Sequence, residues 1–192
     1  YSTLWMTFLL AFVLSLAMTP VAIKLAPKIG AMDIPKDSRR MHTKAMPRFG
    51  GLAIFVGTTV STAVFLLQLD NRIMGILIGG ILIYILGIVD DLKNLPAKVK
   101  FIGQTIIAVI MYMYGLRIEF ISNFFGSGKS ELGTILCFIV TIIWIVGITN
   151  TVNLIDGLDG LSVGVCSISS LSMGIIALML GQSNEAVILA AL

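Results

Sequence analysis

Four oxygen-bearing side chains recur at every third position in the segment NTVNLIDGLDGLS, which occupies residues 150–162. They are Asn150, Asn153, Asp156 and Asp159, and strongly apolar sequence lies on both sides of the segment. Amide and carboxylate oxygens without His or Cys suit a hard cation such as Mg²⁺ or Mn²⁺ and argue against Zn²⁺. The segment therefore predicts a magnesium-type site, and its spacing does not match an EF-hand calcium loop.

A continuous helix would not bring these four side chains together, because each three-residue step falls about 60° short of a full turn. Gly157 and Gly160 permit a break or a left-handed turn in the chain. Such a break would let the two carboxylates fold back toward the two amides. The alternative is an ordinary Asx–Gly turn without a ligand, and the repeated pattern favours the site over that alternative.

A second acidic group, Asp90 and Asp91, follows an apolar run without a spacer. Adjacent carboxylates at a membrane boundary repel each other, and a divalent cation or a nearby Lys would relieve that repulsion. Lys100 lies nine residues after Asp91, beyond a turn that Asn94 and Pro96 indicate. The alternative is that the two carboxylates form a hydrated polar end to a helix and have no chemical role.

A third polar segment, KDSRRMHTKAMPRFGG, contains five Lys or Arg, the single His42, and a glycine pair at Gly50 and Gly51. Basic side chains close to a helix that opens with glycine can form an anion site. The alternative is a basic loop that sets membrane topology and contacts anionic lipid. The spacing alone favours this alternative, and His42 by itself does not indicate a catalyst.

These polar segments alternate with long apolar runs. The 192-residue chain is 57% hydrophobic and 12% charged, with a mean hydropathy of +1.02, whereas a soluble domain has about 25% charged residues. The runs contain no charged side chain and approach the length that a helix needs to cross about 30 Å of hydrocarbon. Because lipid cannot satisfy backbone groups and barrel-type alternation is absent, we predict an all-α fold, a polytopic transmembrane helix bundle. The predicted spans are residues 4–23, 51–67, 73–89, 101–116, 132–148 and 161–180.

The distribution of basic residues predicts the orientation. Ten Lys and Arg fall in the segments 24–50 and 90–100, and three fall in the alternate segments. Lys and Arg mark cytoplasmic loops, so we expect the loops 24–50, 90–100 and 150–160 on the cytoplasmic side. The same bias accounts for the net charge of +3 without a nucleic-acid partner, and a basic stripe with interleaved aromatic residues is missing.

The ends of the chain indicate a portion of a longer protein. The sequence opens with Tyr1 and closes with EAVILAAL, the beginning of a seventh apolar run that is too short to span a bilayer. We therefore expect residues 1–192 to form a single, truncated transmembrane domain with about six complete helices and the start of a seventh.

Three loops with carboxylates, amides and cations at one membrane face can bind a metal-bound solute that bears phosphate. The reaction that such a site suits is phosphoryl transfer, where positioning and charge neutralisation account for most of the catalysis. A lipid is the expected acceptor, because it can enter sideways from the membrane.

The segments VDDLKNLPAKVKFIGQ and NTVNLIDGLDGLSVG resemble the polyprenyl-phosphate N-acetylhexosamine-1-phosphate transferases, and HTKAMPRFGG resembles the first cytoplasmic loop of that family. The resemblance implies that undecaprenyl phosphate attacks the β-phosphorus of a UDP-N-acetyl sugar, with Mg²⁺ required and UMP released. PRFGG and NLPAKVKF resemble the branch that uses UDP-GlcNAc for teichoic acid linkage, O-antigen or enterobacterial antigen synthesis. The alternative is the peptidoglycan branch, which uses UDP-MurNAc-pentapeptide and usually has PTMGG instead.

The resemblance also implies catalytic and metal-binding roles for single residues. Asp90 and Asp91 would line the catalytic centre, where one of them deprotonates or orients the lipid phosphate, and Asp156 would lie nearby in the catalytic cleft. Asn153 would bind Mg²⁺, with Asp91 as a second metal ligand. The motifs leave open which Asp is the base and which holds the metal.

Five residues are implied to bind substrate. Lys100 would neutralise the diphosphate, Asp159 would lie near the uracil, and Asn150 would support the loop. The full set of implied substrate-binding residues is Lys100, Asn150, Asp159, Lys44 and Asn94.

The expected partners are the UDP-N-acetyl sugar, undecaprenyl phosphate and the lipid bilayer, and the expected location is the bacterial cytoplasmic (inner) membrane, with the site facing the cytoplasm. Gly75-x-x-x-Gly79 and Gly160-x-x-x-Gly164 allow close helix approach, and such glycine-rich faces would permit a homodimer.

The chain departs from the family pattern at one point, because the family also has a later Gly-Asp motif and a His-rich cytoplasmic loop that 192 residues do not contain. We therefore expect residues 1–192 alone to be inactive, and robust UMP release from UDP-GlcNAc by this fragment would refute that expectation.

Other functional classes fit less well. A membrane transporter would need charged residues near the bilayer midplane or a broken helix there, and the spans have neither. The CDP-alcohol phosphatidyltransferases use an Asp-Gly-x-x-Ala-Arg core, whereas DGLDGLS has no Arg. A non-catalytic scaffold remains an alternative, which substitution of Asp91 or Asp156 in the full-length protein would separate from an enzyme.

Overall fold

The computed structural model describes residues 2–33, 46–47, 49–66, 70–123, 126, 128–158 and 160–192. Within these residues the chain forms seven helices and four short strands, which pair as β1 with β2 and β3 with β4. In chain order, the elements are α1 (Ser2–Ile29), β1 (Met32–Asp33), β2 (Met46–Pro47), α2 (Gly51–Phe65), α3 (Asn71–Lys93), α4 (Ala97–Met113), β3 (Phe120–Ser122), β4 (Lys129–Glu131), α5 (Thr134–Ile155), α6 (Leu161–Met179) and α7 (Ser183–Ala191).

Each of the six predicted spans forms a helix, and the predicted all-α, polytopic fold is confirmed. Among the described residues, α1, α3, α5 and α6 are long and apolar enough to cross a membrane. The apolar helix α2 has 15 residues, which corresponds to about 22 Å at 1.5 Å per residue. It is therefore shorter than the predicted span 51–67 and shorter than the hydrocarbon thickness of about 30 Å.

The helices extend beyond the apolar runs into the segments that were predicted as loops. α3 continues to Lys93, α4 begins at Ala97 and α5 continues to Ile155, so much of 90–100 and half of 150–160 is helical. The physical reason is that the end of an apolar run marks the depth of the hydrocarbon, whereas backbone hydrogen bonding continues until a residue stops it. Most of the predicted site residues consequently lie on helix ends.

The chain divides into two compact units. The first unit comprises Tyr1–Gln68, Gly87–Leu95 and Val165–Leu192, and the second comprises Leu69–Leu86 and Pro96–Gly164.

In the first unit, α1 and α2 pack closely through small residues. A Cβ at Gly57 would lie 2.8 Å from the carbonyl oxygen of Ala11 and would also overlap Ser15. The Ser15 hydroxyl donates a hydrogen bond to the carbonyl oxygen of Ala53 at 3.1 Å. Small residues that let two backbones approach are the usual means of helix association in lipid, where burial of apolar surface gives no advantage.

A small apolar cluster lies at the end of α1. Ala22, Ala26, Ala31 and Phe49 are buried together, and Ile88 of α3 packs against them. This contact holds the last turns of α3 beside the start of α2. The first unit therefore brings the acidic end of α3 close to the beginning of α2.

In the second unit, α3 contacts the end of α4 through its glycine pair. A Cβ at Gly75 would lie 2.7 Å from Cβ of Tyr114, and one at Gly79 would lie 2.6 Å from Cγ of Met111. The close approach predicted for this Gly-x-x-x-Gly motif is confirmed, and it occurs within the chain. At the second motif, Gly160-x-x-x-Gly164, no described atom lies within 4 Å of the position that a Cβ would take on either glycine.

The helices α4 and α5 pack in antiparallel orientation. Gln104 near the start of α4 meets Asn150 near the end of α5. Further along, the rings of Tyr112 and Phe138 meet edge to face, with centroids 5.0 Å apart. A residue later in α4 thus contacts a residue earlier in α5, as antiparallel helices require. The first turn of α4 and the last turn of α5 therefore lie at the same end of the pair.

Candidate active site

The polar segment 150–160 contains the predicted break between two helices. α5 ends at Ile155, Asp156 follows as its C-cap with φ −79° and ψ 45°, and Gly160 adopts a left-handed conformation with φ +78°. Glycine reaches this conformation without the steric cost of a Cβ. The break predicted from Gly157 and Gly160 is therefore present, and Asp159 lies outside the described residues.

Two of the predicted ligand residues are exposed at the end of α5. Asn153 and Asp156 are both accessible, and neither side chain has a hydrogen bond to another described residue. They are three residues apart, a spacing that makes side chains neighbours on a helix surface. Their oxygens are thus available to a ligand from outside the helix.

Asn150 lies one turn further inside and is half-buried. Its Nδ2 donates one hydrogen bond to the carbonyl oxygen of Val146 at 2.8 Å and another to Oε1 of Gln104 at 2.6 Å. The amide therefore links α5 to α4. The role of supporting the loop, which the family resemblance implies for Asn150, stays a prediction.

Lys100 lies at the same end of the helix pair. It is half-buried and precedes Gln104 by one turn, about 6 Å along the axis of α4. Asn153 and Asp156 lie about 4.5 and 9 Å beyond Asn150 along α5. Because the two helices are antiparallel and are joined at Gln104 and Asn150, the cation and the two oxygen ligands extend from the junction in the same direction.

The helix dipoles add fields of both signs at this end. The C-terminus of α5 has partial negative charge and favours a cation, whereas the N-terminus of α4 has partial positive charge and favours an anion. Asp156 strengthens the first field, and Lys98 and Lys100 strengthen the second. Such an end can accommodate a metal ion together with phosphate groups.

The acidic pair of the first unit lies on the last turns of α3, where both carboxylates are half-buried. Asp90 accepts two hydrogen bonds from the turn that follows. Its Oδ1 accepts from the N–H of Leu95 at 3.2 Å, and its carbonyl oxygen accepts from the N–H of Asn94 at 2.7 Å. Asn94 has a left-handed φ of +47°, which Asn tolerates better than most residues. Asp90 and Asn94 therefore shape the turn after α3.

The start of α2 does not have the form of an anion site, the possibility that the sequence favours less than a basic topology loop. Gly50 caps the helix with helical angles and without a side-chain hydrogen bond. The N–H groups of Leu52 and Ala53 donate to the carbonyl oxygens of Phe49 and Gly50 at 3.2 and 3.1 Å. These two N–H groups are consequently not available to an anion. The predicted residues His42 and Lys44 lie outside the described residues.

Two cavities in the described part of the chain lie away from Lys100, Asn150, Asn153 and Asp156. The cavity in the first unit has about 200 Å³ and is mainly apolar, and the cavity in the second unit has about 330 Å³ and lies at the opposite end of α4 from Lys100. The cavity in the first unit is lined by Thr19, Ala22, Ile23, Pro47, Gly50 and Ala53. The cavity in the second unit is lined by Asn71, Arg72, Met113, Tyr114, Gly115, Arg117 and Glu119. At the candidate site, Asn153 and Asp156 are exposed at the end of α5.

The donor set fits a hydrated hard cation. No group of three or more His, Cys, Asp and Glu that could hold a metal occurs among the described residues. Asn153 and Asp156 offer one amide and one carboxylate. Mg²⁺ sites commonly use one or two carboxylates and complete the shell with water and substrate phosphates, so these residues suit a metal that arrives with phosphate.

The sequence patterns assign no role to Gln104, the last residue of the motif VDDLKNLPAKVKFIGQ, although its side chain joins the two helices of the site. Only 4% of its surface is exposed. A lone amide inside an otherwise apolar span is the feature that could have revealed it, because such residues find partners in neighbouring helices.

Comparison with known proteins places these residues in a family. The family model described as glycosyl transferase family 4 matches residues 73–192. A probable undecaprenyl-phosphate N-acetylglucosaminyl 1-phosphate transferase of Bacillus subtilis is 40% identical over 175 residues, which cover 91% of this chain and 48% of that protein. An undecaprenyl-phosphate alpha-N-acetylglucosaminyl 1-phosphate transferase of Yersinia pestis is 28% identical over 176 residues, which cover 91% of this chain and 47% of that protein. A decaprenyl-phosphate N-acetylglucosaminephosphotransferase of Mycobacterium tuberculosis is 35% identical over 102 residues, which cover 48% of this chain and 24% of that protein.

The chain spans about half the length of the curated relatives that it matches over most of its own length. The region that matches the family model includes the acidic end of α3, the whole of α4 and α5, and the break at 156–160. By this match the chain belongs to glycosyl transferase family 4.

Proposed function

We propose that the protein containing this chain transfers N-acetylglucosamine-1-phosphate from UDP-GlcNAc to undecaprenyl phosphate and releases UMP. This reaction would be the first membrane step in building a cell-envelope glycopolymer. The observation that carries the proposal is the antiparallel junction of α4 and α5, which directs Lys100, Asn153 and Asp156 to the same end. The names of the relatives from Bacillus subtilis and Yersinia pestis support the choice of donor and acceptor.

The chemistry needs groups that bind a diphosphate and offset its charge. An oxygen of the lipid phosphate forms a bond to the β-phosphorus of the UDP-sugar, and the bond from that phosphorus to the bridging oxygen breaks, so that UMP leaves with this oxygen. Lys100, at the positive end of α4, would bind the diphosphate and offset its negative charge. Neutralisation of this charge is usually the largest contribution that a protein makes to the catalysis of phosphoryl transfer.

Asn153 and Asp156 would hold Mg²⁺, for which Mn²⁺ is an expected substitute. The role of Asp91 as a metal ligand, which the family resemblance implies, stays a prediction. When bound, the metal draws charge from the phosphate oxygens and lowers the repulsion between donor and acceptor. Asp90 and Asp91 would orient the lipid phosphate or accept its proton. Asn150, Asp159, Lys44 and Asn94 stay predicted substrate-binding residues.

The surroundings of Asp156 support a lipid acceptor. Leu154 is 81% exposed and Leu158 is 56% exposed, on either side of Asp156. Large apolar side chains next to an exposed carboxylate suit the boundary between hydrocarbon and water, since lipid can solvate the first and water the second. The phosphate of a polyprenyl lipid lies at that boundary.

The orientation belongs to the same proposal. The chain has helices typical of a multi-pass membrane protein, and Lys24, Lys28 and Lys93 lie at the ends of α1 and α3. Because basic residues stay on the cytoplasmic side, we place the site at the cytoplasmic face of the bacterial inner membrane. There it would meet a soluble sugar nucleotide.

The test is transfer of labelled sugar phosphate by the full-length protein in vesicles that contain undecaprenyl phosphate. When Mg²⁺ and UDP-GlcNAc with a labelled sugar are added, we expect labelled lipid and an equal amount of UMP. Addition of EDTA should abolish both products. UDP-GalNAc and UDP-MurNAc-pentapeptide are the matched controls. Label transfer from UDP-MurNAc-pentapeptide alone would favour the peptidoglycan branch, and no transfer from any donor would overturn the proposal.

A further inference from the structure

The side chain of Gln104 is a buried amide in the apolar part of α4. Its Oε1 accepts the hydrogen bond from Nδ2 of Asn150 at 2.6 Å. We propose that Gln104 is a positioning residue, which fixes the orientation of the Asn150 amide and, through it, the end of α5 that bears Asn153 and Asp156. The effect on catalysis rests on the proposed function, whereas the effect on the end of α5 can be measured without it.

The hydrogen bonds fix which way each amide faces. The carbonyl oxygen of Val146 can only accept, so the group that Asn150 turns toward it must be the NH₂ group. The other hydrogen of that NH₂ group then goes to Gln104, which must present its oxygen. The orientation of both amides therefore follows from a backbone carbonyl.

Burial makes this arrangement hard to replace with water. Gln104 is 4% exposed, and Val146 on α5 is also 4% exposed. Ile107 and Ala108 are buried in the following turn of α4. A polar group without a hydrogen bond in such apolar surroundings would cost about 1–3 kcal/mol, so the amide pair is held in one arrangement.

The fixed orientation determines what Asn150 can offer to a ligand. Both hydrogens of its Nδ2 are used, and its Oδ1 has no hydrogen bond to another described residue. The remaining group is an acceptor. In this orientation Asn150 can accept a hydrogen bond or bind a cation through Oδ1, and it has no hydrogen left for a phosphate oxygen.

The hydrogen bond between Gln104 and Asn150 also sets the position of α4 relative to α5 along the helix axes. Lys100 is one turn from Gln104 on α4, and Asn153 is almost one turn from Asn150 on α5. A slip or rotation at the junction would move the phosphate-binding cation relative to the metal ligands. Misplacement of about 1 Å can reduce a rate by about a hundredfold, so the junction affects catalysis without touching the reacting atoms.

The experiment compares Gln104→Leu with Gln104→Glu in the full-length protein. Leu removes the acceptor, whereas Glu keeps an oxygen that can accept from Asn150. We expect Gln104→Leu to lower kcat by about 10- to 100-fold with a KM for UDP-GlcNAc within about threefold, and Gln104→Glu to recover most of kcat. Gln104→Met serves the same purpose if Gln104→Leu does not fold.

A double-mutant cycle separates positioning from general stability. If Gln104 acts through Asn150, the loss of kcat in Gln104→Leu combined with Asn150→Leu should not exceed the loss in Asn150→Leu alone. Thr105→Val is the matched control, since Thr105 bonds only to the carbonyl oxygen of Phe101 within α4 among the described residues. Losses that multiply in the double variant would overturn the proposal.

Hydrogen exchange provides a readout that does not depend on the transferase activity. We expect Gln104→Leu to increase amide exchange by at least tenfold in residues 150–156, whereas Gln104→Glu and Thr105→Val leave it unchanged. If the wild-type protein transfers no sugar phosphate but this exchange pattern is found, the proposed function fails and the positioning role stands. Unchanged exchange in Gln104→Leu would refute the positioning role even in an active enzyme.

Discussion

The carboxylate of Asp90 and the backbone N–H of Leu95 are joined by a hydrogen bond of 3.2 Å, which closes the turn after α3. The next residue, Asp91, lies on the same last turns of the helix. Asp90 therefore helps to fix the turn after α3, a role that two adjacent carboxylates in the sequence do not indicate.

The turn predicts different results for Asp90→Asn and Asp90→Ala. Asn keeps an oxygen that can accept from Leu95, so we expect a Tm closer to wild type than that of Asp90→Ala, together with a kcat lowered by at least about a hundredfold, the usual size of an acid–base contribution. Ala removes the acceptor and should also lower the stability by about 1 kcal/mol. Thermal unfolding in detergent and label transfer measure the two effects. A wild-type kcat in Asp90→Asn would show that its charge has no catalytic role.

Gly160→Ala should weaken the site by straining the break between α5 and α6. Gly160 has φ +78°, and a Cβ in this left-handed region costs about 1–2 kcal/mol. We expect the strain to displace Asp156 and to lower kcat, with a smaller effect for Gly160→Asn because Asn tolerates this conformation.

Gly157→Ala is the matched control for this turn. Gly157 has open space around it and no left-handed φ, so the substitution should leave kcat close to wild type. Equal losses in the two Ala variants would indicate that the turn needs glycine for a reason other than its conformation.

The proposed metal ligands predict a shift in Mg²⁺ dependence. Asn153→Ala removes an exposed amide oxygen, and we expect the Mg²⁺ concentration for half-maximal transfer to rise at least tenfold, since even indirect partners of a metal change its affinity by about 10–100-fold. Asn153→Asp keeps an oxygen ligand and should require less added Mg²⁺ than Asn153→Ala. Titration of label transfer with Mg²⁺ measures this order, and identical titrations would remove Asn153 from the metal site.

The contact between α1 and α2 predicts a loss of stability in Gly57→Ala. A Cβ at Gly57 would press on the backbone of Ala11 at 2.8 Å, and overpacking of this kind costs about 1–3 kcal/mol. Gly147→Ala on α5 is the control, because nothing lies within 4 Å of its Cβ position and Ala favours a helix by up to about 1 kcal/mol. Unfolding in detergent should therefore show a lower Tm for the first variant and an equal or higher Tm for the second. The reverse order would contradict the packing of α1 on α2.

The amino-acid sequence alone determined the helices and the main break between them. Apolar runs without charge predicted six helices, and Gly157 and Gly160 predicted the end of α5, because hydrophobicity and backbone freedom are properties of single residues and their neighbours. The sequence placed the acidic and amide residues beside these apolar runs in segments predicted as loops, whereas the structure has most of them on helix ends. The proposed roles of Lys44 and Asp159 stay predictions.

Only the tertiary structure decided which side chains meet. The pairing of Gln104 with Asn150, the hydrogen bond from Leu95 to Asp90, and the use of Gly75 and Gly79 within the chain were not visible in the order of residues. The reason is that helices in lipid gain nothing by burying apolar faces against each other, so their pairing depends on close fit and a few polar bonds. Such contacts join residues 46 positions apart, as they do between Gln104 and Asn150, and a hydrophobic pattern contains no information about them.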